Sequence, residues 1–525
     1  MSPALLEAFQ QVALSPDVLI VIVAAALYGV FMGAMPGLTA TMSVALFIPF
    51  TYWLDPIPAL AGIVTMVACA IFAGDLPTTL LRIPGTPASA AYVDDAYALT
   101  KAGRSDQALG VALVSSVVGG LLGALVLMLL GHQLARVATL FSIAEYFWLY
   151  VLGLTSAVVV SRGSLSASSL GMLIGLLIST VGLSAVHTQA RFTFGRPELY
   201  QGINFIPAMI GLFGFSEVLS NLIRGGDSHR SAPIDARPGP GSAVDRYLLR
   251  PISDIVAPGV RLLRKRVRHT LRSGAIGSFI GMLPGAGADI AAWVSMAASK
   301  RASRNPDDYG KGSIEGISDA TAANSSALAA TWIPALVFGI PGDSITAIVI
   351  GVLLMKDINP GPDIFVEQAA LVYGIYLVFI VANLVLLPVG LLAIKSGSYV
   401  VRVPLRILMP IILLLCIVGA YAINSSTFDV GVMLAMGLLG FGLERFGVPL
   451  GPVVLGIILG APLEERFIQI LTAGGGDPLA FFGRPLAAVL GVLCIALWIW
   501  AIHSARSGLN AAGGRWWSGR GGRPK

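Results

Sequence analysis

Five long stretches of the chain carry no charged side chain. They lie between Asp17 and Asp55, Asp106 and Arg136, Arg162 and Arg191, Glu367 and Lys395, and Arg484 and Arg506. Each reaches the roughly 20 apolar residues that an α-helix needs to cross a bilayer. None shows the dyad alternation over about 10 residues that marks an outer-membrane β-strand. The pattern predicts an all-α polytopic membrane protein with a first span from Val18 onward. A last span is expected over residues 485–503.

Between these stretches lies one long polar segment, residues 224–272. It holds 11 Lys or Arg against four Asp, a balance of +7. Its first part is rich in Pro and Gly and reads as a linker. The positive-inside rule places this segment in the cytoplasm, together with the basic tail 504–525. No Lys or Arg precedes Arg82, so the N-terminus is expected outside.

Composition agrees with the pattern. Of 525 residues, 12% are charged and 56% hydrophobic, whereas a soluble domain carries about 25% charge. This excludes a soluble enzyme, a disordered chain and a secreted disulfide scaffold. The length allows on the order of a dozen spans. Cys69, Cys416 and Cys494 stand alone in apolar stretches and read as small core residues. The formal charge of +6 resides in loops that flank spans. It marks topology in a lipid bilayer and gives no nucleic-acid signal.

The two halves repeat each other. Gly29-Val30-Phe31-Met32-Gly33-Ala34-Met35-Pro36-Gly37 matches Gly277-Ser278-Phe279-Ile280-Gly281-Met282-Leu283-Pro284-Gly285. Pro77 and Ile83-Pro84-Gly85 match Pro334 and Ile340-Pro341-Gly342, and Lys101 matches Lys356. The offsets are 248, 257 and 255 residues, so each half reads as one structural unit. The expected domains are a first repeat over 1–223, the linker over 224–272 and a second repeat over 273–470. The extra span and the tail follow. With linker and tail both cytoplasmic, repeat plus extra span crosses an even number of times. The repeat alone then crosses an odd number of times, which makes the two repeats inverted.

Each half carries two Pro-Gly interruptions where membrane helices are expected to break. Pro removes a backbone donor and Gly opens backbone angles closed to other residues. Breaks at corresponding positions of two repeats are where transporters place their sites. The amides and dipole of a half-helix suit a carboxylate. Candidate substrate-binding residues are therefore Pro84, Gly85, Thr86 and Ser89 with Pro341, Gly342, Asp343, Ser344 and Thr346. Carbonyls and side chains of the other pair suit a cation. These candidates are Gly33, Pro36, Gly37 and Thr39 with Gly281, Pro284, Gly285, Asp289, Asn324 and Ser325. Asp289 and Asp343 also fit as helix caps.

Other polar residues carry less. Asp75 and Arg82 are placed to pair with each other across the break. Asp94-Asp95 and Asp307-Asp308 read as solvated loop charge. Gly310-Lys311-Gly312-Ser313 lacks the spacing of a nucleotide-binding loop, and no catalytic motif is found, so no enzyme and no cofactor are expected.

The segments Ile83 to Ala91, Gly310 to Gly316, Ala322-Ala323-Asn324, Gly339 to Gly342 and Pro360-Gly361-Pro362 resemble the TctA-type large membrane subunit of the bacterial tripartite tricarboxylate transporters. The resemblance runs from about Gly29 to about Glu465. It implies a multi-pass permease of the bacterial inner membrane that imports organic carboxylates by Na⁺ or H⁺ symport. It also implies two partners, a small four-helix membrane subunit and a periplasmic solute-binding protein. The chain departs from the family pattern at Asp75, Arg82, Asp95-Ala96-Tyr97-Ala98 and Ser325. The implied substrates therefore widen to tri-, di- and aromatic carboxylates. The alternative is a stand-alone channel or secondary transporter without a binding protein.

Overall fold

The computed structural model describes residues 3–35, 37–161, 163–184, 189–223, 251–400 and 405–518. Eight helices among these are long and apolar enough to cross a membrane. Four shorter apolar helices accompany them, Ala40–Tyr52, Leu165–Ser179, Ser344–Met355 and Met409–Asn424. The strand content among the described residues is one two-residue antiparallel ladder, Gly182–Leu183 against Ala190–Arg191. The all-α membrane architecture expected from the charge-free runs is what the chain adopts.

The chain forms two compact units that do not follow the sequence halves. One comprises residues 1–139 and 204–442, the other 140–203 and 443–525. Each therefore draws on both halves. The second unit packs helices Ile143–Val160, Leu165–Ser179, Leu450–Ala473 and Pro485–Ser518. Trp148 anchors it through Nε1, which donates to the Phe481 carbonyl at 2.8 Å. Arg191 and Glu464 form a bidentate pair at 2.7 and 2.9 Å. The last helix extends beyond the expected 485–503 because residues 504–518 continue its turns.

The first unit holds the breaks. Its helices in the first half are α1 (Pro16–Gly33), α2 (Ala40–Tyr52), α3 (Pro56–Ala73), α4 (Asp75–Leu81), α5 (Val93–Lys101) and α6 (Ser105–Ala138). After the linker come α7 (Ile252–Lys265), α8 (Val267–Gly281), α9 (Gly287–Ala302) and α10 (Ile314–Ala330). α11 (Trp332–Phe338), α12 (Ser344–Met355) and α13 (Ala369–Val400) follow. The expected polar segment 224–272 is thus partly helical. Residues 224–250 lie outside the described residues, and α7 and the start of α8 occupy the remainder. α7 is amphipathic: Ile255 and Gly259 are buried against α6, and Arg261, Arg264 and Lys265 are exposed.

Small residues let these helices touch backbone to backbone, as membrane helices do. A methyl group on Gly33 would stand 2.0 Å from the Ala70 carbonyl oxygen, and one on Gly29 would stand 2.3 Å from that of Met66. The second half makes the same crossing. A methyl group on Gly277 would stand 2.2 Å from the Ala323 carbonyl oxygen, and one on Gly281 2.6 Å from that of Ala327. So α1 runs parallel to α3, and α8 parallel to α10. α6 meets α10 with Gly119 at Ala322 and Gly123 at Ser326, which is again parallel. α13 has Gly374 at Ile57 and Gly390 at Phe72 of α3, but Gly120 of α6 faces Asn383 and Gly131 of α6 faces Tyr376. α13 is therefore parallel to α3 and antiparallel to α6. It follows that α1, α3 and α13 run one way and α6, α8 and α10 the other. Serine pairs add polar contacts between the apolar helices, Ser115 with Ser318 and Ser278 with Ser326, each at 2.8 Å.

Candidate functional site

The break after α3 is built from its own residues. α3 ends at Gly74, and α4 runs from Asp75 to Leu81. Arg82, with φ of 60°, turns the chain left-handed, and the Ile83 amide returns to the Pro77 carbonyl at 3.3 Å. Gly85 then lies against Gly74, so closely that a methyl group on it would stand 2.3 Å from the Gly74 carbonyl oxygen. Thr78 Oγ1 lies 2.7 Å from that carbonyl and accepts the Gly85 amide at 3.1 Å. Thr86 and Ser89 cap each other, each amide donating to the other's hydroxyl at 3.1 Å.

The break after α10 repeats this frame. α11 ends at Gly339, with φ of 67°, and the Ile340 amide returns to the Pro334 carbonyl at 3.2 Å. Gly342 lies against Thr331, the counterpart of Gly74. Asp343 and Thr346 form the reciprocal cap. The Thr346 amide donates to Asp343 Oδ1 at 2.8 Å and the Asp343 amide to Thr346 Oγ1 at 2.9 Å. This is a capping box, satisfying the first orphan amides of α12.

Most of the expected substrate-binding groups are therefore engaged within their own loops. The amides of Gly85 and Thr86, the hydroxyls of Thr86, Ser89 and Thr346, and the Asp343 carboxylate all serve to close their own loops. Pro84 is exposed, Ser344 half-buried and Pro341 buried. A ligand at either break would meet these groups through exchange of caps.

The cation candidates separate into two places. Gly33 and Gly281 form the helix crossings described above. Gly37, with φ of 90°, has Asn221 as its near neighbour, and Thr39 caps α2 by accepting the Met42 amide at 3.1 Å. Pro36 lies outside the described residues. Gly285 and Gly287 are left-handed, with φ of 78° and 67°, and Gly287 lies against Asp343. Pro284 precedes them, half-buried. So the two breaks of the second half come together at Asp343. Asp289 stands in the first turn of α9.

A narrow cavity opens beside Asp343. It is lined by Val67 and Ala68 of α3, Ser325 of α10, Thr331, Asp343 and Asn383 of α13, with Trp332 and Phe379 among its apolar walls. No Lys or Arg lines it. Asn324, 3% exposed, has a buried Oδ1 without a hydrogen-bond partner among the described residues. Asn383 was not singled out from the sequence. Its signal was there, as an amide midway along the charge-free run from Glu367 to Lys395.

Two expectations on charge are corrected. Arg82 does not pair with Asp75. It pairs with Asp94 at 2.7 Å on the surface, whereas Asp75 accepts from the Tyr92 hydroxyl at 2.5 Å. The left-handed turn at Arg82 directs its side chain outward, away from the buried start of α4. Asp95 is not a solvated loop charge. It is 1% exposed, and one oxygen accepts the amides of Gly310, Gly312 and Ser313 at 2.7, 2.9 and 2.7 Å. Glycine-rich amides of this kind form an anion-binding nest. The anion held by the loop with the nucleotide-like glycines is this chain's own carboxylate. Asp307 and Asp308 are exposed, as expected. No metal-ligating cluster of His, Cys, Asp or Glu occurs among the described residues.

Residues 19–455 match the model of the tripartite tricarboxylate transporter TctA family. Two similar proteins come from Agrobacterium vitis. One, an uncharacterized 52.8 kDa protein in the TAR-I ttuC' 3' region, is 33% identical over 93% of this chain and 94% of that protein. The other, an uncharacterized protein in the TAR-II ttuC' 3' region, is 36% identical over 42% of this chain and 93% of that protein. No solved structure matches.

Proposed function

This chain belongs to the tripartite tricarboxylate transporter TctA family, and from that premise we propose that it is the large permease subunit of a secondary transporter for organic carboxylates. Uptake is driven by Na⁺ or H⁺ symport across the bacterial inner membrane. A periplasmic solute-binding protein delivers the substrate, and a small four-helix membrane subunit completes the system.

The observation that carries the proposal is the pair of matched breaks. Each is ended by a left-handed residue, closed by a proline-to-isoleucine backbone bond and capped reciprocally. The helices that lead into them, α3 and α10, run in opposite directions. This supports two inverted repeats, with α4 and α11 as the short helices of re-entrant breaks. Irregular backbone at membrane depth is tolerated where protein buries it or a cavity meets it. The break after α10 meets both conditions.

The chemistry of the two sites differs. Substrate carboxylates are received at the loops 84–89 and 341–346, where amides and hydroxyls can exchange internal caps for the ligand. The cavity beside Asp343, without Lys or Arg, suits a cation. Ser325, Thr331, Asn383 and Asp343 supply oxygens there, Gly287 brings backbone close to Asp343, and Asn324 adjoins Ser325 on α10.

Reconstitution tests the proposal. Vesicles holding both membrane subunits are supplied with binding protein and a labelled carboxylate under Na⁺ or H⁺ gradients. Uptake that needs all three components is expected. Full-rate uptake of free substrate by this chain alone favours the stand-alone alternative. Uptake that persists after Pro84-Gly85 and Pro341-Gly342 are both replaced by Ala-Ala sinks the site assignment.

A further inference from the structure

Asp75 has no part in the substrate or cavity chemistry described above, yet it is placed where a charge is most costly. It opens α4 directly after Gly74, inside the apolar stretch Pro56–Leu81. Its side chain is 2% exposed. Its Oδ1 accepts the Tyr92 hydroxyl at 2.5 Å. Among the described residues it forms no ion pair with any Lys, Arg or His.

The helices packed against α4 supply no counter-charge. On α5, Asp94 is held by Arg82, Asp95 by the three amides of its nest, and Lys101 lies over Tyr97. Asp106, His132 and Arg136 of α6 and Lys395 of α13 make no ion pair with Asp75. The groups that do face it are Tyr92 and, acting on the same tyrosine from α9, Asp289. Tyr92 is a neutral donor and Asp289 an acid, so neither brings a positive charge to Asp75. An ionised carboxyl buried in this way is strongly disfavoured unless paired or neutralised.

We propose that the Asp75 carboxyl is the binding site of the coupling ion and that this ion is a proton. This rests on the carboxylate–cation symport reading above. The carboxylate takes up a proton from the aqueous phase on the uptake side, forming one O–H bond. It releases the proton on the other side as that bond breaks, and no other covalent bond changes. Tyr92 donates to Oδ1 in both states. The link to the substrate loop is short. Asp75 adjoins Gly74, whose carbonyl lies against Gly85 and Thr78, so a change of charge there acts on the contact that holds the break together.

Asp75→Asn tests this, because it keeps the shape and an acceptor for Tyr92 but cannot ionise. Infrared difference titration of the purified protein is expected to show a protonated-carboxyl band in the wild type that the variant lacks. Absence of that band in the wild type overturns the proposal. In vesicles with both membrane subunits and the binding protein, an acid-outside gradient is expected to drive accumulation of a labelled carboxylate. With Asp75→Asn, accumulation falls to the level without a gradient, and labelled-for-unlabelled exchange becomes insensitive to pH. Proton-driven accumulation that survives in the variant overturns the proposal. So does sodium-driven accumulation equal in both proteins, which assigns coupling to the Asn324 and Ser325 region. If no carboxylate moves under any gradient, the transport reading fails, and the infrared titration still decides whether Asp75 binds a proton.

Discussion

At the first break an arginine holds the left-handed turn and at the second a glycine does. In the first half Gly85 rests on the bare backbone of Gly74, and in the second Gly342 rests on Thr331. Thr86 and Ser89 cap one loop, and Asp343 and Thr346 cap the other. Asp75 opens the first half-helix and Trp332 the second. The matched lysines diverge too: Lys101 lies over the Tyr97 ring, whereas Lys356 donates to the Tyr52 and Leu54 carbonyls at 2.8 and 2.6 Å. The backbone path is common to both halves, and the ionisable groups on it are not. Sterics and caps hold the frame, which leaves the side chains free to diverge into different chemistry.

The largest effect is expected where the halves interlock. Asp95→Ala leaves three amides of the Gly310 loop without their acceptor, and a buried unpaired group costs about 1–3 kcal/mol. Thermal denaturation of the purified protein is expected to show a drop in Tm larger than that of any glycine or cap variant at the two breaks. An unchanged Tm means that the nest does not hold the two halves together.

Next comes the close contact of the breaks. Gly85→Ala drives a methyl group into the Gly74 carbonyl, and overpacking against backbone lies at the upper end of roughly 1–3 kcal/mol. Gly342→Ala meets the Thr331 side chain at 2.8 Å, so the milder loss is expected there. Equal losses for the two alanine variants mean that the residue facing each glycine, Gly74 or Thr331, does not set the cost.

A smaller difference is expected at the left-handed turns. Gly339→Ala costs about 1–2 kcal/mol, the penalty of a Cβ in that conformation. Arg82→Gly removes such a penalty together with an exposed ion pair worth about 0–1 kcal/mol, so its Tm stays near that of the wild type. A large loss from Arg82→Gly means the Asp94 pair does more than join two surface side chains.

The caps bring the smallest change in stability. Thr86→Ala and Asp343→Ala are each expected to cost about 1 kcal/mol. The pair sharpens the comparison through transport. If Asp343 also serves a cation in the adjoining cavity, its loss lowers uptake at saturating substrate, whereas Thr86→Ala acts on substrate affinity.

Much of this protein was legible in the order of its residues. Charge-free runs of membrane length dictate helices, because a backbone in lipid must satisfy its own hydrogen bonds. The Pro-Gly pairs mark where those helices end, since proline removes a donor and glycine admits the turn. The duplication was visible because the same steric demands recur at nearly constant offset. Tertiary structure alone decided which partner each polar residue takes. Arg82 and Asp75 are neighbours in sequence and part company at a left-handed turn. Asp95 reads as a surface acid until a loop more than two hundred residues later folds around it. Asn383 becomes part of a cavity only when α13 packs against α3 and α6. A sequence sets the periodicity and the breaks, which are local. The pairing of a buried charge depends on what the packed helices leave beside it.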